Sequence, residues 1–244
     1  MLRLAGNRRA TCTPTVRGLT LWGCAALLAA GASFAADPLE TGQCGTCHRL
    51  APPATGERGL SDWMDRKGPD LFYAGTKYQA EWLRAWLVSP TRIRPAGLHP
   101  ERHVRTVDGA DEVDGSTLEP HPPVPPENVD AVVEALGKLS WGAELVPETI
   151  KRTMVPRPLA ALNFVKFKGC ASCHRNSPKF GGVSGPELYT AWSRLRPEFL
   201  WSYIADPQAW DPVAPMPGYG LPAGEVGKLV EYLRLLDEEH RDDR

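Results

Sequence analysis

The feature that most constrains this chain occurs twice. Cys44-Gly45-Thr46-Cys47-His48 and Cys170-Ala171-Ser172-Cys173-His174 are both C-x-x-C-H runs, and together they use every cysteine beyond the first 35 residues. At the end of a helix the two thiols of such a run lie one turn apart on one face, spaced to add across the two vinyl groups of a haem. The histidine that follows then reaches the iron. Other readings of paired cysteines fit less well. A redox C-x-x-C needs no following histidine, and a zinc ribbon sets its two pairs about 15 to 20 residues apart, whereas Cys47 and Cys170 are 123 positions apart. Two copies imply two covalently held haem c groups, with Cys44, Cys47, His48, Cys170, Cys173 and His174 as the binding residues.

Haem is attached only after a chain has crossed a membrane, and the N-terminal segment agrees with export. Arg3, Arg8, Arg9 and Arg17 precede an apolar stretch from Leu19 to Ala30, and Ser33-Phe34-Ala35 offers small residues at the cleavage positions. Residues 1–35 therefore read as a secretory signal peptide, too short in its apolar part for the ~20 residues of a membrane span. The expected location is periplasmic, with membrane association only if this segment is retained. Its removal takes away four arginines and no acids, so 28 basic and 29 acidic residues become 24 and 29. A mildly acidic product excludes nucleic acid as a partner, because phosphate binding needs a basic face.

The rest of the chain is a duplication. Gly68-Pro69-Asp70-Leu71 corresponds to Gly185-Pro186-Glu187-Leu188. Pro69 to Trp82 and Pro186 to Phe199 each span 13 residues, and Pro69 to Pro90 and Pro186 to Pro207 each span 21. Each half ends in an amphipathic pattern: Val129, Val132, Val133, Leu136 and Leu139 in one, Val226, Leu229, Val230, Leu233 and Leu236 in the other. Between them, residues 142–158 hold three prolines and no long apolar period, and read as a linker. The expected domains are residues 37–141 and 159–240, with a charged, frayed tail from Asp237.

Each half thus runs from a helix ending in C-x-x-C-H, through a Gly-Pro-x-Leu loop and a Trp-rich helix, to a ligand loop and a final helix. This order resembles the class I cytochrome c family in its tandem di-haem form, over essentially the whole chain after residue 36. The resemblance implies an all-α fold of two small helical domains, each around one haem, with first and last helices crossing. It further implies that the carbonyls of Pro69 and Pro186 orient His48 and His174.

A class I domain takes its distal ligand from the loop before the last helix. In the second half Pro215-Met216-Pro217 fits, and Met216 is the expected ligand; Met64 and Met154 are read as packing residues. The first half has no methionine there. Counted forward from Gly-Pro the equivalent position is His99; counted backward from the final helix it is His121, whose flanking prolines stiffen the loop; His103 lies between. The counts diverge because the first half carries about 20 extra residues here, among them the acidic stretch Asp108–Glu119, read as a solvated loop.

A His/His haem sits at lower potential than a His/Met haem, so the expected role is single-electron transfer between exported or membrane-bound redox protein partners, such as a membrane respiratory complex, or service as the haem subunit of a dehydrogenase or reductase. Trp82, Trp86, Phe199 and Tyr203 are expected to line the haem pockets. The alternative is a catalytic di-haem protein resembling bacterial cytochrome c peroxidase, with an open or switchable first haem.

Overall fold

The computed structural model describes residues 37–54 and 58–240. The expected signal peptide and the last four residues lie outside the described residues.

In the first half, α1 (Pro38–Thr41) is a single turn capped by Asp37, whose carboxylate accepts the Leu39 N–H at 2.9 Å. After it come α2 (Leu60–Asp65), α3 (Ala74–Lys77) and α4 (Ala80–Val88), the strands β1 (Val104–Val107) and β2 (Ala110–Val113), and α5 (Pro126–Gly137). The second half holds α6 (Arg157–Leu162), the strands β3 (Arg175–Ser177) and β4 (Phe180–Gly181), then α7 (Ala191–Arg194), α8 (Pro197–Ala205), α9 (Pro207–Trp210) and α10 (Ala223–Glu239). About 47% of the described residues are helical, so helix dominates, but two hairpins modify the expected all-α content.

The hairpin β1–β2 replaces the solvated loop expected around Asp108. Its register pairs Val104 with Val113 and Val107 with Ala110. Asp108 and Gly109 have φ of 51° and 81°, the positive pair that a two-residue type I′ turn requires.

The paired halves coincide closely. Counted position for position from Pro69 and Pro186, α3 coincides with α7 and α4 with α8 from end to end. In each half the first helix rests on the last, α1 on α5 and α6 on α10. The apolar stripe of α5, Val129, Val132, Val133 and Leu136, is buried with Leu39, Leu71, Leu83 and Leu87. That of α10, with Leu229, Leu233 and Leu236, is buried with Phe164, Phe199, Leu200 and Trp210.

The halves meet along a seam with local two-fold symmetry. Tyr78 bridges Leu195 in antiparallel fashion, the Gln79 N–H donating to Arg194 O at 3.0 Å and the Arg196 N–H to Lys77 O at 2.9 Å. Tyr78 and Leu195 are counterparts in the duplication, so the seam pairs like with like. It also sets α3 against α8 and α4 against α7. Phe72 and Tyr73 of the first half join the second-half core, where Tyr73 stacks on Phe199 at 6.1 Å.

The segment read as a linker carries no long helix and is strapped to the second half. Thr153 N–H donates to Gly227 O, Arg152 pairs with the buried Glu231 at 3.1 Å, and Leu145 O accepts from Ser202 Oγ at 2.7 Å. The expected fraying from Asp237 is not what the structure has: α10 runs on to Glu239, because Asp237 is buried and accepts the Ser193 N–H.

Candidate haem sites

Each C-x-x-C-H run lies in a 3₁₀ turn instead of the last turn of an α-helix. Gln43 (φ 52°) and Gly169 (φ 66°) break the preceding segment in the left-handed region, and Cys44–Thr46 and Cys170–Ser172 follow as 3₁₀ turns. With three residues per turn, positions i and i+3 eclipse, which puts both cysteines of each pair on one side. The histidine amides close back onto Cys44 O at 2.9 Å and Cys170 O at 3.1 Å. All four cysteines are free thiols; burial pushes Cys44 above its usual value and Cys170 up to about 11.

The two histidines are held identically. His48 Nδ1 lies 2.7 Å from Pro69 O, and His174 Nδ1 lies 2.7 Å from Pro186 O. A carbonyl only accepts, so Nδ1 carries the hydrogen and Nε2 keeps its lone pair for a metal. The glycines before these prolines are required by space. A Cβ on Gly68 would fall 2.6 Å from His48 Cε1, and one on Gly185 would fall 2.6 Å from His174 Cε1. Burial lowers both imidazoles below the usual range, partly offset by the proline carbonyls, and so keeps them in the neutral form that ligates.

Beside His48 stands His121, with ring centroids 6.1 Å apart and planes tilted by 41°. Two imidazoles on opposite axial positions of one metal, each bonded at ~2 Å, have centroids about 6 Å apart. The spacing therefore admits an iron between them. His121 Nδ1–H donates to Pro122 O at 2.8 Å, again leaving Nε2 available, and its ring rests against Trp86 at 4.7 Å. Its position is fixed by the Val124 N–H donating to Leu87 O, which ties the loop to α4. Trp86 in turn stacks on Trp82, and Trp82 on Tyr78.

His99 and His103 are committed elsewhere. His99 is 5% exposed, donates Nε2–H to Arg66 O at 2.9 Å and meets Trp63 edge-on. His103 faces Thr117 Oγ1 at 2.8 Å beside the β1–β2 hairpin. The hairpin β1–β2 follows His99 in the chain, and of the three histidines it is His121, beyond the hairpin, that stands beside His48.

In the second half Met216 is half-buried in the loop before α10, its carbonyl taken by Gln208 Nε2 at 2.8 Å. Met64 and Met154 are not packing residues, being 40% and 78% exposed. Phe199 is buried in the core with Trp210, and Tyr203 lies against it at 5.4 Å.

Among the described residues no three of His, Cys, Asp or Glu converge on a site for a bare ion. A haem would not need such a cluster from the protein; His48 and His121 are the residues that would hold its iron in the first half. Sequence reasoning passed over the cations nearby. Lys77 acts on His48, and its counterpart Arg194, with Arg94, acts on His174; the matched register of Lys77 and Arg194 was the available signal. Nor did it foresee the ionic cluster behind the first site. There Asp70 is buried among Arg49, Arg58 and Arg66 at 3.6 to 3.8 Å, and Arg66 also reaches Asp211 at 2.5 Å.

No family model, curated protein or solved structure matches this chain.

Proposed function

We propose that the protein is an exported di-haem c-type cytochrome that carries single electrons between redox protein partners. The observation that carries this reading is the facing pair His48 and His121, 6.1 Å apart, each with Nδ1 engaged and Nε2 open. A bound haem supplies a one-electron ferric/ferrous couple. The chain's own residues do the rest. The proline carbonyls fix the imidazole planes, Gly68 and Gly185 leave room for them, and Trp86 and Trp82 close the first site against water. With both His48 and His121 as ligands, a haem held there would offer a substrate no open position, which favours transfer over peroxide chemistry. The second half would hold its haem through Cys170, Cys173, His174 and Met216.

The test is a spectroscopic redox titration of purified holoprotein with carbon monoxide and peroxide added to the half-reduced and reduced forms. Two separated low-spin centres that ignore both ligands are expected. A centre that turns high-spin on half-reduction and consumes peroxide would make the protein an enzyme instead. His121→Ala should alter the first centre's spectrum alone. Met216→Ala should abolish the weak methionine-to-iron charge-transfer band; its survival would remove Met216 as a ligand.

A further inference from the structure

The chain after α4 leaves its own half. Ile93 O accepts the Glu187 N–H at 2.8 Å and the Ala96 N–H donates to Val183 O at 3.2 Å, with Ala96 fully buried. The segment is thereby clamped at two points to the loop 183–187, which carries Gly185 and Pro186 against His174. Arg94 lies between the clamps. It is half-buried, and Tyr73, Tyr78, Tyr203 and Arg194 are the ionisable groups that act on it. Among the described residues its guanidinium has neither a carboxylate within ion-pair distance nor a hydrogen-bond partner. Its neighbour Arg194 is already satisfied, by Glu187 Oε1 at 3.2 Å, Glu187 O at 2.6 Å and Thr190 Oγ1 at 3.0 Å. An enclosed guanidinium without an anion is unfavourable.

The duplication supplies a control. The counterpart of Ile93 is Trp210, and Trp210 O likewise accepts across the seam, from Arg58 at 2.7 Å. The counterpart of Arg94 is Asp211, buried and paired with Arg58 at 3.2 Å and Arg66 at 2.5 Å. The same crossing is charge-matched by protein in one direction and unmatched in the other.

We propose that Arg94, carried across the seam by the first half, is the counter-ion of a carboxylate on the haem held at Cys170, Cys173 and His174. This rests on the haem reading above. A guanidinium fork matches a carboxylate with two parallel hydrogen bonds, and a haem attached at Cys170 and Cys173 brings its own propionates beside His174. Arg94 is thus a positioning residue that also sets charge at the second site. It makes that site depend on the first half.

The experiment compares holoprotein with Arg94→Gln and Arg94→Lys, reading the midpoint potential of each centre from pH 5 to 8, with the methionine charge-transfer band marking the second. Of the groups around Arg94, Tyr73 and Tyr203 are pushed up by burial, away from this window, while Glu187 is paired with Arg194 and Thr190. In the natural chain the second midpoint should be flat with pH. Arg94→Gln should lower it, because an unpaired carboxylate favours oxidised iron, and should give it a pH dependence as that carboxylate takes up a proton. The first midpoint should stay, and Arg94→Lys should recover most of the second. No change in Arg94→Gln, movement of the first midpoint instead, or a second midpoint that already titrates in the natural chain would each overturn the proposal. Should Arg94→Gln fail to load haem, the natural chain's pH profile still decides. A preparation with fewer than two covalent haems per chain, by mass and pyridine haemochrome, would mean that the haem reading itself had failed.

Discussion

A single methyl group separates Gly68 and Gly185 from losing the imidazoles packed on them. Gly185→Ala would drive a Cβ to within 2.6 Å of His174, an overpacking that costs about 1–3 kcal/mol. Haem-loaded Gly185→Ala should show altered ligation in the second centre only, and a lower urea midpoint. Charge at this scale is equally specific. Burial pushes Asp62 up, but hydrogen bonds from Arg49 and Arg66 outweigh it and hold the carboxyl below its usual range. The stability it contributes is present above the unfolded value of 3.8 and is lost as pH falls through the lower folded value. Asp62→Asn should therefore cost about 1–2 kcal/mol in urea melts at pH 7, and the difference should be gone by about pH 2. The contacts of His48 and His174 with the carbonyls of Pro69 and Pro186 were legible because a Gly-Pro at matched spacing is a local signal. Asp62 and Asp70 were not, because their partners depend on how distant loops meet.

Elements were read well where period alone decides them and badly where turn chemistry does. The apolar periods of α5 and α10 predicted most of their buried faces, although Leu139 lies past the end of α5 and is only partly buried, and the buried Tyr232 and Glu231 of α10 fall outside the expected pattern. Leu136→Ala and Leu233→Ala should each cost about 2–5 kcal/mol, measured by denaturant unfolding, since both side chains are buried in full-sized cores. The hairpin β1–β2, by contrast, was hidden under its acidic residues. Asp108-Gly109 between Val-ended runs was the signal, and it was outweighed by charge. Gly109→Val, placing a β-branched residue at φ 81°, should open this hairpin at a cost of more than about 1 kcal/mol. Amide exchange there should quicken while the haem spectra stay unchanged. The 3₁₀ geometry of the C-x-x-C-H turns was unreadable for another reason: a three-residue spacing satisfies either helix type, and the left-handed Gln43 carries no glycine to announce it.

At the scale of the molecule the duplication was visible, but not what it builds. Counterpart positions seldom announce that they touch, and Tyr78 and Leu195 share no side-chain chemistry that would pair them. Their bridge is made by backbone, reinforced by the Gln79 side-chain amide, which donates to Trp192 O and Leu195 O. The seam's charge contacts include Asp211, which meets two guanidiniums of the other half. Asp211→Asn should cost about 3–5 kcal/mol, and calorimetry should then resolve separate melting of the halves where the natural chain melts once. The seam has one more consequence. In a symmetric pair of separate chains, the two crossing positions are necessarily the same amino acid, and any charge placed there is placed twice. Fusion into one polypeptide lifts that constraint, so that an arginine stands at one crossing and an aspartate at the other. Two halves that began alike can then diverge in the charge each carries without disturbing the contact that holds them together.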